Sequence, residues 1–293
     1  MTTSYASQSR FTDPRAMSWW LDDVPADLAG IHSAATGLVF HYTANGDITQ
    51  HGFAAKRVRE IDLRYADDLL TRLHELSSAP PGSDRAPTDR VVGCCRDSTL
   101  LFIAMARHHG IPARARVGFG KYLMPDWTMD HVVAEVWDAA ESRWRLVDPQ
   151  FTEHKILDVL DVPRDMFITG PQAWQECRSG VSDPSRFVVS PDRPEPFMRS
   201  WPQLTHNLVQ DLAALNKHEM LLWDIWGLLD DEPEDTDELA VKLDGLAEHL
   251  QSADLTSDQI AGLFDDVTLR VPEAVTTISP AGLAPVRVLL RTA

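Results

Sequence analysis

An apolar run in the middle of the chain predicts a buried central helix. Seven consecutive apolar residues, Leu100–Ala106, follow the polar stretch Cys95–Thr99. The pattern stops at Gly110, which can cap a helix, and at Pro112, which cannot continue one. Because the segment is apolar nearly all round, the helix predicted over residues 95–109 should lie inside the protein.

Three runs after this helix have the composition of β-strands. They cover Ala113–Phe119, Val132–Trp137 and Trp144–Val147, and the segment Asp138–Ser142 suits a hairpin turn between the last two. A buried helix followed by antiparallel strands indicates α+β architecture, not a doubly wound sheet. We therefore predict a central helix packed on an antiparallel sheet, with additional helices around them.

The segments that flank this core have mainly helical patterns. Ile61–Leu76 carries apolar residues at helical spacing, and an apolar stripe from Leu204 to Leu215 predicts another helix. The polar residues on and just after that second helix have two interpretations. They form either a solvated face or a substrate-recognition surface that faces the functional site: His206, Asn207, Asp211, Asn216 and Glu219.

The domain organisation follows from an acidic segment near the C-terminus. Seven of the nine residues from Asp230 to Glu238 are acidic, which is typical of a solvated linker. We predict a main domain over residues 1–230, with its core motifs at 90–150. Residues 235–293, which contain capping-box spacings beginning at Asp235 and at Thr256, are predicted to be a small helical appendage.

Composition narrows the possible partners and the cellular location. The 293 residues carry a net charge of −17, which disfavours nucleic acid and anionic membranes as partners. The polar segment Met1–Arg10 lacks the apolar stretch of a signal peptide, and three cysteines make no disulfide framework. We therefore expect a cytoplasmic protein. The cysteines and histidines show no zinc-ligand spacing, so no metal and no cofactor are predicted; the oligomeric state stays open.

Cys95 is a candidate nucleophile because it stands at the predicted start of the buried helix. The free backbone N–H groups of a helix N-terminus stabilise a thiolate, and they can also hold the oxyanion that forms when the thiolate attacks an acyl carbon. The alternative interpretation is a buried cysteine that serves only packing.

A nucleophilic cysteine needs a base, and the base needs an orienting acceptor. His131 begins the second predicted strand and Asp148 follows the third. If these strands form a hairpin, the two side chains lie side by side at its open end. Each residue alone has an ordinary structural interpretation, but their order after a helix-capping cysteine favours a Cys-His-Asp triad.

Four segments resemble the motif blocks of the transglutaminase-like superfamily, especially of its bacterial members: Gly93–Asp97, Gly110–Arg114, Asp130–Trp137 and Trp144–Pro149. The resemblance implies a papain/transglutaminase-like core in which Cys95 is the nucleophile, His131 the base and Asp148 the orienting carboxylate. It also implies that Cys95, not Cys94, is the reactive thiol. Cys94 is then a packing residue, with a strained vicinal disulfide as the alternative.

Two further residues are candidates for substrate binding. Trp127, in the loop before His131, either covers the acyl site or serves simple packing. Asp130 either orients His131 or favours its charged form, or it is a turn residue.

The predicted function is cysteine-dependent acyl transfer. An acyl group would form a thioester with Cys95 and pass to water or to an amine, from a small amide, peptide or thioester substrate. One alternative is an amide-forming acyltransferase with a thioester donor, and another is an inert binding protein on the same scaffold. An arylamine acetyltransferase-like enzyme is a further alternative, although it would require a different glycine-rich context before the cysteine than Val91–Cys94.

Overall fold

The computed structural model describes residues 2–230, 237–252 and 255–292. The α-helices are α1 (Leu28–Thr36), α2 (Ala66–Leu76), α3 (Cys95–His108), α4 (Gly170–Arg178), α5 (Ser200–Leu215), α6 (Asp237–Leu250) and α7 (Ser257–Gly262). The strands are β1 (Val39–His41), β2 (Val91–Gly93), β3 (Ala113–Gly120), β4 (Thr128–Asp138), β5 (Arg143–Val147), β6 (Phe167–Thr169), β7 (Phe187–Val188), β8 (Asp224–Ile225), β9 (Ala274–Thr277) and β10 (Val286–Leu289).

The main sheet confirms the predicted α+β architecture. Its strands run in the order β5-β4-β3-β6, all antiparallel, and β7 adds a short parallel pairing to the start of β4. The predicted hairpin is β4–β5, in which Val136 opposes Arg145. Helix α3 packs against β3 and β4 of this sheet.

Helix α3 confirms the prediction made for residues 95–109 and is buried along almost its whole length. Its C-terminal end has the expected geometry, because Gly110 adopts a left-handed backbone with φ of +72°. At its N-terminal end, Asp97 accepts a hydrogen bond of 2.8 Å from the Cys94 N–H, which closes the first turn. Arg96 anchors this end by donating to the backbone carbonyls of Arg64 and Met220.

A two-stranded parallel pair, β1–β2, leads directly into α3. His41 opposes Gly93, and the Tyr42 N–H donates to the Gly93 carbonyl at 3.0 Å. The pairing joins residues about fifty positions apart in the chain, and it brings the end of β1 alongside the first residues of α3.

The solvated-face interpretation of the second predicted helix is wrong. In α5, Asn207 and Asp211 are fully buried, and Glu219, just after the helix, is also buried. The Arg116 guanidinium donates to both Asp211 carboxylate oxygens at 3.0 and 2.7 Å, and Arg107 pairs with Glu219 at 2.9 Å. Charge pairing inside the protein, not hydration, therefore explains Asp211 and Glu219, and Asn207 donates to the Gly118 carbonyl at 2.8 Å. His206 and Asn216 are half-buried.

The C-terminal segment is only partly helical, which corrects the prediction for residues 235–293. Helices α6 and α7 form there, and α7 has the predicted capping box, with Thr256 and Gln259 bonded to each other's backbone. The rest includes β9 and β10, which join β8 in a three-stranded antiparallel sheet. Alternate residues of β9 are buried, so its period is that of a strand. The domain boundary stays a prediction, since residues 231–236 of the acidic linker lie outside the described residues.

The second sheet is joined to the main body by a buried ion pair. Asp224 in β8 has no solvent exposure and accepts hydrogen bonds from Arg64 at 2.7 and 3.2 Å and from Thr277 at 2.7 Å. In the described part of the chain, no helix is both long and apolar enough to cross a membrane.

Replacing Asp224 by Ala should strongly destabilise the fold, because it leaves the buried Arg64 charge unpaired. We expect the free energy of unfolding to fall by about 3–5 kcal/mol in urea titrations. Glu75→Ala, which removes an exposed ion pair with Arg72, is the control and should cost less than about 1 kcal/mol. Equal, small losses for the two variants would show that the buried pair does not stabilise the attachment of the second sheet to the main body.

Candidate active site

The start of α3 places Cys95 inside the protein, between β1 and the main sheet. Strand β2 delivers the chain to this point, and Cys94 is the extended residue that caps the helix. Cys95 is the first helical residue, and only 5% of its surface is exposed. Its sulfur therefore lies at the positive end of the helix dipole and away from bulk water.

Strand β4 begins four residues earlier than the predicted run Val132–Trp137, so His131 lies within the strand. It opposes Gly118 of β3. A side chain at position 118 would have its Cβ 2.2 Å from the Ile168 carbonyl oxygen, so glycine is required for β6 to pack here.

His131 and Asp148 meet at the end of the β4–β5 hairpin, as predicted. The His131 Nε2 lies 2.8 Å from the Asp148 Oδ2, and the two side chains are 2% and 0% exposed. Because Nε2 is occupied by the carboxylate, Nδ1 is the ring nitrogen left to face the Cys95 thiol. The hairpin thus turns two distant sequence positions into one hydrogen-bonded pair beside the start of α3.

Asp148 is held in place by further donors that the sequence analysis did not identify. Tyr122 donates its hydroxyl to Oδ2 at 2.6 Å, and the Gln150 N–H donates to Oδ1 at 3.0 Å. The His32 ring contacts the Asp148 carbonyl oxygen at 3.1 Å. These bonds fix the carboxylate, and the carboxylate fixes the His131 ring.

The electrostatics of the site favour a thiolate paired with an imidazolium. Burial alone would lower the pKa of His131, but the Asp148 charge, the hydrogen bond to it and Cys95 together raise that pKa to about 10. Hydrogen bonds from Cys94, His131 and His41, opposed by burial, hold the pKa of Cys95 well below its ordinary value of 9.0. The pKa of Cys94 is raised by its bond to Cys95 and by burial. Of the two adjacent thiols, Cys95 is therefore the one whose thiolate the site favours.

Asp130 lies near the thiol, whereas Trp127 contacts other groups. Burial, together with the negative charge of Cys95, raises the pKa of Asp130 to about 7, although a hydrogen bond of 2.8 Å from Asn207 opposes the shift. The Arg186 guanidinium stacks over the Trp127 ring, 5.7 Å from its centroid. The proposed roles of these two residues in substrate binding stay predictions.

The described part of the chain contains no cluster of metal-binding side chains. Within residues 2–230, 237–252 and 255–292, no group of three or more His, Cys, Asp or Glu side chains has an arrangement that could hold a metal ion.

Comparison with known families identifies the core of the molecule. Residues 57–149 match the family described as the transglutaminase-like superfamily. This part of the chain is a transglutaminase-like superfamily domain. It spans α2, α3 and the β3–β5 strands, and it contains Cys95, His131 and Asp148, the three residues that meet at the end of the hairpin.

One solved structure matches part of the chain. It is a "putative cysteine protease" from Cytophaga hutchinsonii, 15% identical in sequence, with a TM-score of 0.36. The match covers 57% of the present chain and 45% of the other, so the chain spans less than half of that protein. No curated protein matches the sequence.

Asn207, which the sequence analysis named as a possible recognition residue, does reach the site, where it donates to Asp130 at 2.8 Å. Three residues around the transglutaminase-like site were missed by sequence reasoning: His41, Tyr42 and Tyr122. Each reaches the site through a pairing between distant segments, so no local pattern identifies it. The burial of Tyr42, together with the nearby Cys94 and Cys95 thiols, raises the pKa of its phenol.

Iodoacetamide should label Cys95 of the transglutaminase-like domain at neutral pH nearly as fast as at pH 9, because its depressed pKa keeps the thiolate present. The rate should fall only on acidification. His131→Ala should move the midpoint of the pH–rate profile toward 9. Peptide mass spectrometry across a pH series provides the measurement.

The other cysteines are the controls for this labelling. Burial raises the pKa of Cys177 to about 12, so this thiol should stay unlabelled at neutral pH. Cys94→Ala should keep the label on Cys95 but shift its midpoint to higher pH, because a hydrogen bond to the thiolate is lost. Labelling of Cys94 in the wild-type protein, or a midpoint near 9, would contradict the assignment.

Proposed function

We propose that the protein is a cysteine-dependent acyl-transfer enzyme that uses Cys95 as nucleophile, His131 as acid and base, and Asp148 as the orienting carboxylate. One observation carries the proposal. A buried imidazole hydrogen-bonded to a fully buried carboxylate stands next to a thiol whose pKa is depressed, at the N-terminus of a buried helix. A purely structural cysteine has no need of this arrangement.

The first step forms an acyl-enzyme. The Cys95 sulfur attacks the carbonyl carbon of an amide or thioester, and the C=O electron pair moves onto oxygen to give a tetrahedral intermediate. When this collapses, the carbon–nitrogen or carbon–sulfur bond breaks. The His131 imidazolium gives its proton to the leaving group and becomes neutral, so the acyl group remains as a thioester on Cys95.

The second step returns the enzyme to its starting state. Neutral His131 takes a proton from water or an amine as that group attacks the thioester, and Cys95 leaves as a thiolate. Asp148 keeps the ring oriented and stabilises the imidazolium throughout, with Tyr122 and the Gln150 amide holding the carboxylate. Water as acceptor gives an amidase or peptidase, and an amine gives an acyltransferase.

The burial of the reactive groups favours a small acyl donor. Cys95 and His131 are almost completely enclosed, so a slender amide, peptide or thioester chain fits the approach better than a side chain on a folded protein surface. We therefore propose hydrolysis or transfer on a small substrate. An inert binding protein would need neither the low pKa of the thiol nor the fixed imidazole.

Mass spectrometry of the trapped enzyme tests the function directly. The wild-type protein is incubated with libraries of amides and thioesters, quenched in acid and digested, and the mass added to the Cys95 peptide identifies the acyl donor. Cys95→Ser is the matched control and should carry no thioester. Activated esters are tested in the same way. If neither they nor the libraries leave an acyl adduct on Cys95, the proposal is contradicted and the binding-protein alternative is favoured.

Asp148→Asn should slow acyl-enzyme formation by about 10²–10⁴-fold, because an amide at this position no longer stabilises the imidazolium or its tautomer. Stopped-flow kinetics with p-nitrophenyl acetate measure the rate. The control is Asp158→Asn, since Asp158 is an exposed carboxylate on the loop after β5 whose side chain accepts a hydrogen bond from the Leu160 amide. Equal rates for the Asp148 and Asp158 variants would remove Asp148 from the mechanism.

A further inference from the structure

His41 is a second histidine at the nucleophile, and it lies outside residues 57–149. It is the last residue of β1, and the parallel pairing of β1 with β2 sets it opposite Gly93, two residues before Cys95. The bond from the Tyr42 N–H to the Gly93 carbonyl continues this pairing past the end of the strand. The His41 side chain is half-buried, and this placement brings its ring close enough to Cys95 to lower the pKa of that thiol.

Backbone groups determine which nitrogen of the His41 ring carries the proton. The N–H groups of Thr43 and Ala44 point at Nδ1, at 3.3 and 3.1 Å, and both can only donate. Nδ1 must therefore present its lone pair. In a neutral imidazole the other nitrogen then carries the hydrogen, so the Nε2–H group is the donor. The turn after β1 thus leaves Nε2–H as the ring's hydrogen-bond donor toward the nucleophile.

The helix N-terminus by itself offers few donors for an oxyanion. The amides of Asp97 and Ser98 already donate to the Cys94 carbonyl, at 3.0 and 3.3 Å, and the Arg96 amide bonds with the Cys94 side chain. That leaves the backbone N–H of Cys95 itself. An oxyanion is best stabilised by more than one donor aimed at the oxygen, so a second donor is needed from another element.

We propose that His41 is a catalytic residue, which donates its Nε2–H to the oxyanion of the tetrahedral intermediate formed on Cys95. In that intermediate the oxygen is two bonds from the sulfur, so a donor that reaches the sulfur in the resting enzyme reaches the oxygen with little movement. No proton is transferred. The hydrogen bond passes from the thiolate to the oxygen as negative charge moves there, and it returns when the intermediate collapses.

Two reagents separate this role from a structural one. Acetylation by p-nitrophenyl acetate passes through an oxyanion, whereas alkylation by iodoacetamide is a displacement at a tetrahedral carbon and forms none. Both rates are measured to their plateaus at high pH, so that the thiolate is fully formed in every variant. The proposal rests on the proposed acyl transfer, and the wild-type protein tests that function in the same experiment.

His41→Phe keeps an aromatic ring but has no donor, and we expect its acetylation plateau to fall by about 10²–10³-fold while the alkylation plateau stays near the wild-type value. His41→Gln places an amide donor at about the reach of Nε2 and should recover most of the loss. His51→Phe is the matched control, because the His51 ring packs on Phe40, away from Cys95, and both plateaus should be unchanged.

Three results would overturn the proposal. The first is a wild-type acetylation rate in His41→Phe. The second is a parallel loss of acetylation and alkylation in both His41→Phe and His41→Gln, because that is the effect of a structural residue. The third is a wild-type protein that is alkylated but never acetylated on Cys95, which would remove the proposed acyl transfer and the role of His41 with it.

Discussion

A carboxylate without solvent exposure is stable only when hydrogen bonds or a cation replace its lost hydration, and Asp148 is such a group. Tyr122, the Gln150 amide and His131 fill its oxygens, and this requirement holds the imidazole in one orientation and favours its protonated form. A protonated His131 in turn favours the Cys95 thiolate. The buried carboxylate thus determines the state of His131, and His131 determines the state of Cys95. Because the β4–β5 hairpin positions Asp148, it controls the chemistry at the start of α3.

The same rule organises the rest of the molecule. Buried arginines pair with buried carboxylates and join segments that are far apart in the chain, as Arg116 does between β3 and Asp211 of α5. Arg96, next to the nucleophile, donates to backbone carbonyls of two other segments and so fixes the start of α3. Many of the basic residues of this acidic protein thus act internally, where they replace water around buried charges and carbonyl groups.

The parts of the structure that local patterns encode could be predicted. The apolar run and its glycine stop identify α3, and the hairpin places His131 beside Asp148. The rest depends on contacts between distant segments. The pairing of β1 with β2 that carries His41 has no local signal. No local pattern decides between the two interpretations of the polar residues of α5, because the arginine partner of Asp211 lies about ninety residues away. The strand period of β9 covers only four residues, too short to stand out from its surroundings.

The protonation state of His131 tests the central claim most directly. With ¹⁵N-labelled histidine, nuclear magnetic resonance reports whether one or both ring nitrogens carry a proton, and about pH 8 separates the ordinary pKa of 6.5 from the raised value of about 10. We predict that both nitrogens of His131 are protonated at this pH in the wild-type protein. A neutral His131 ring at pH 8, with Cys95 present as a thiol, would contradict it.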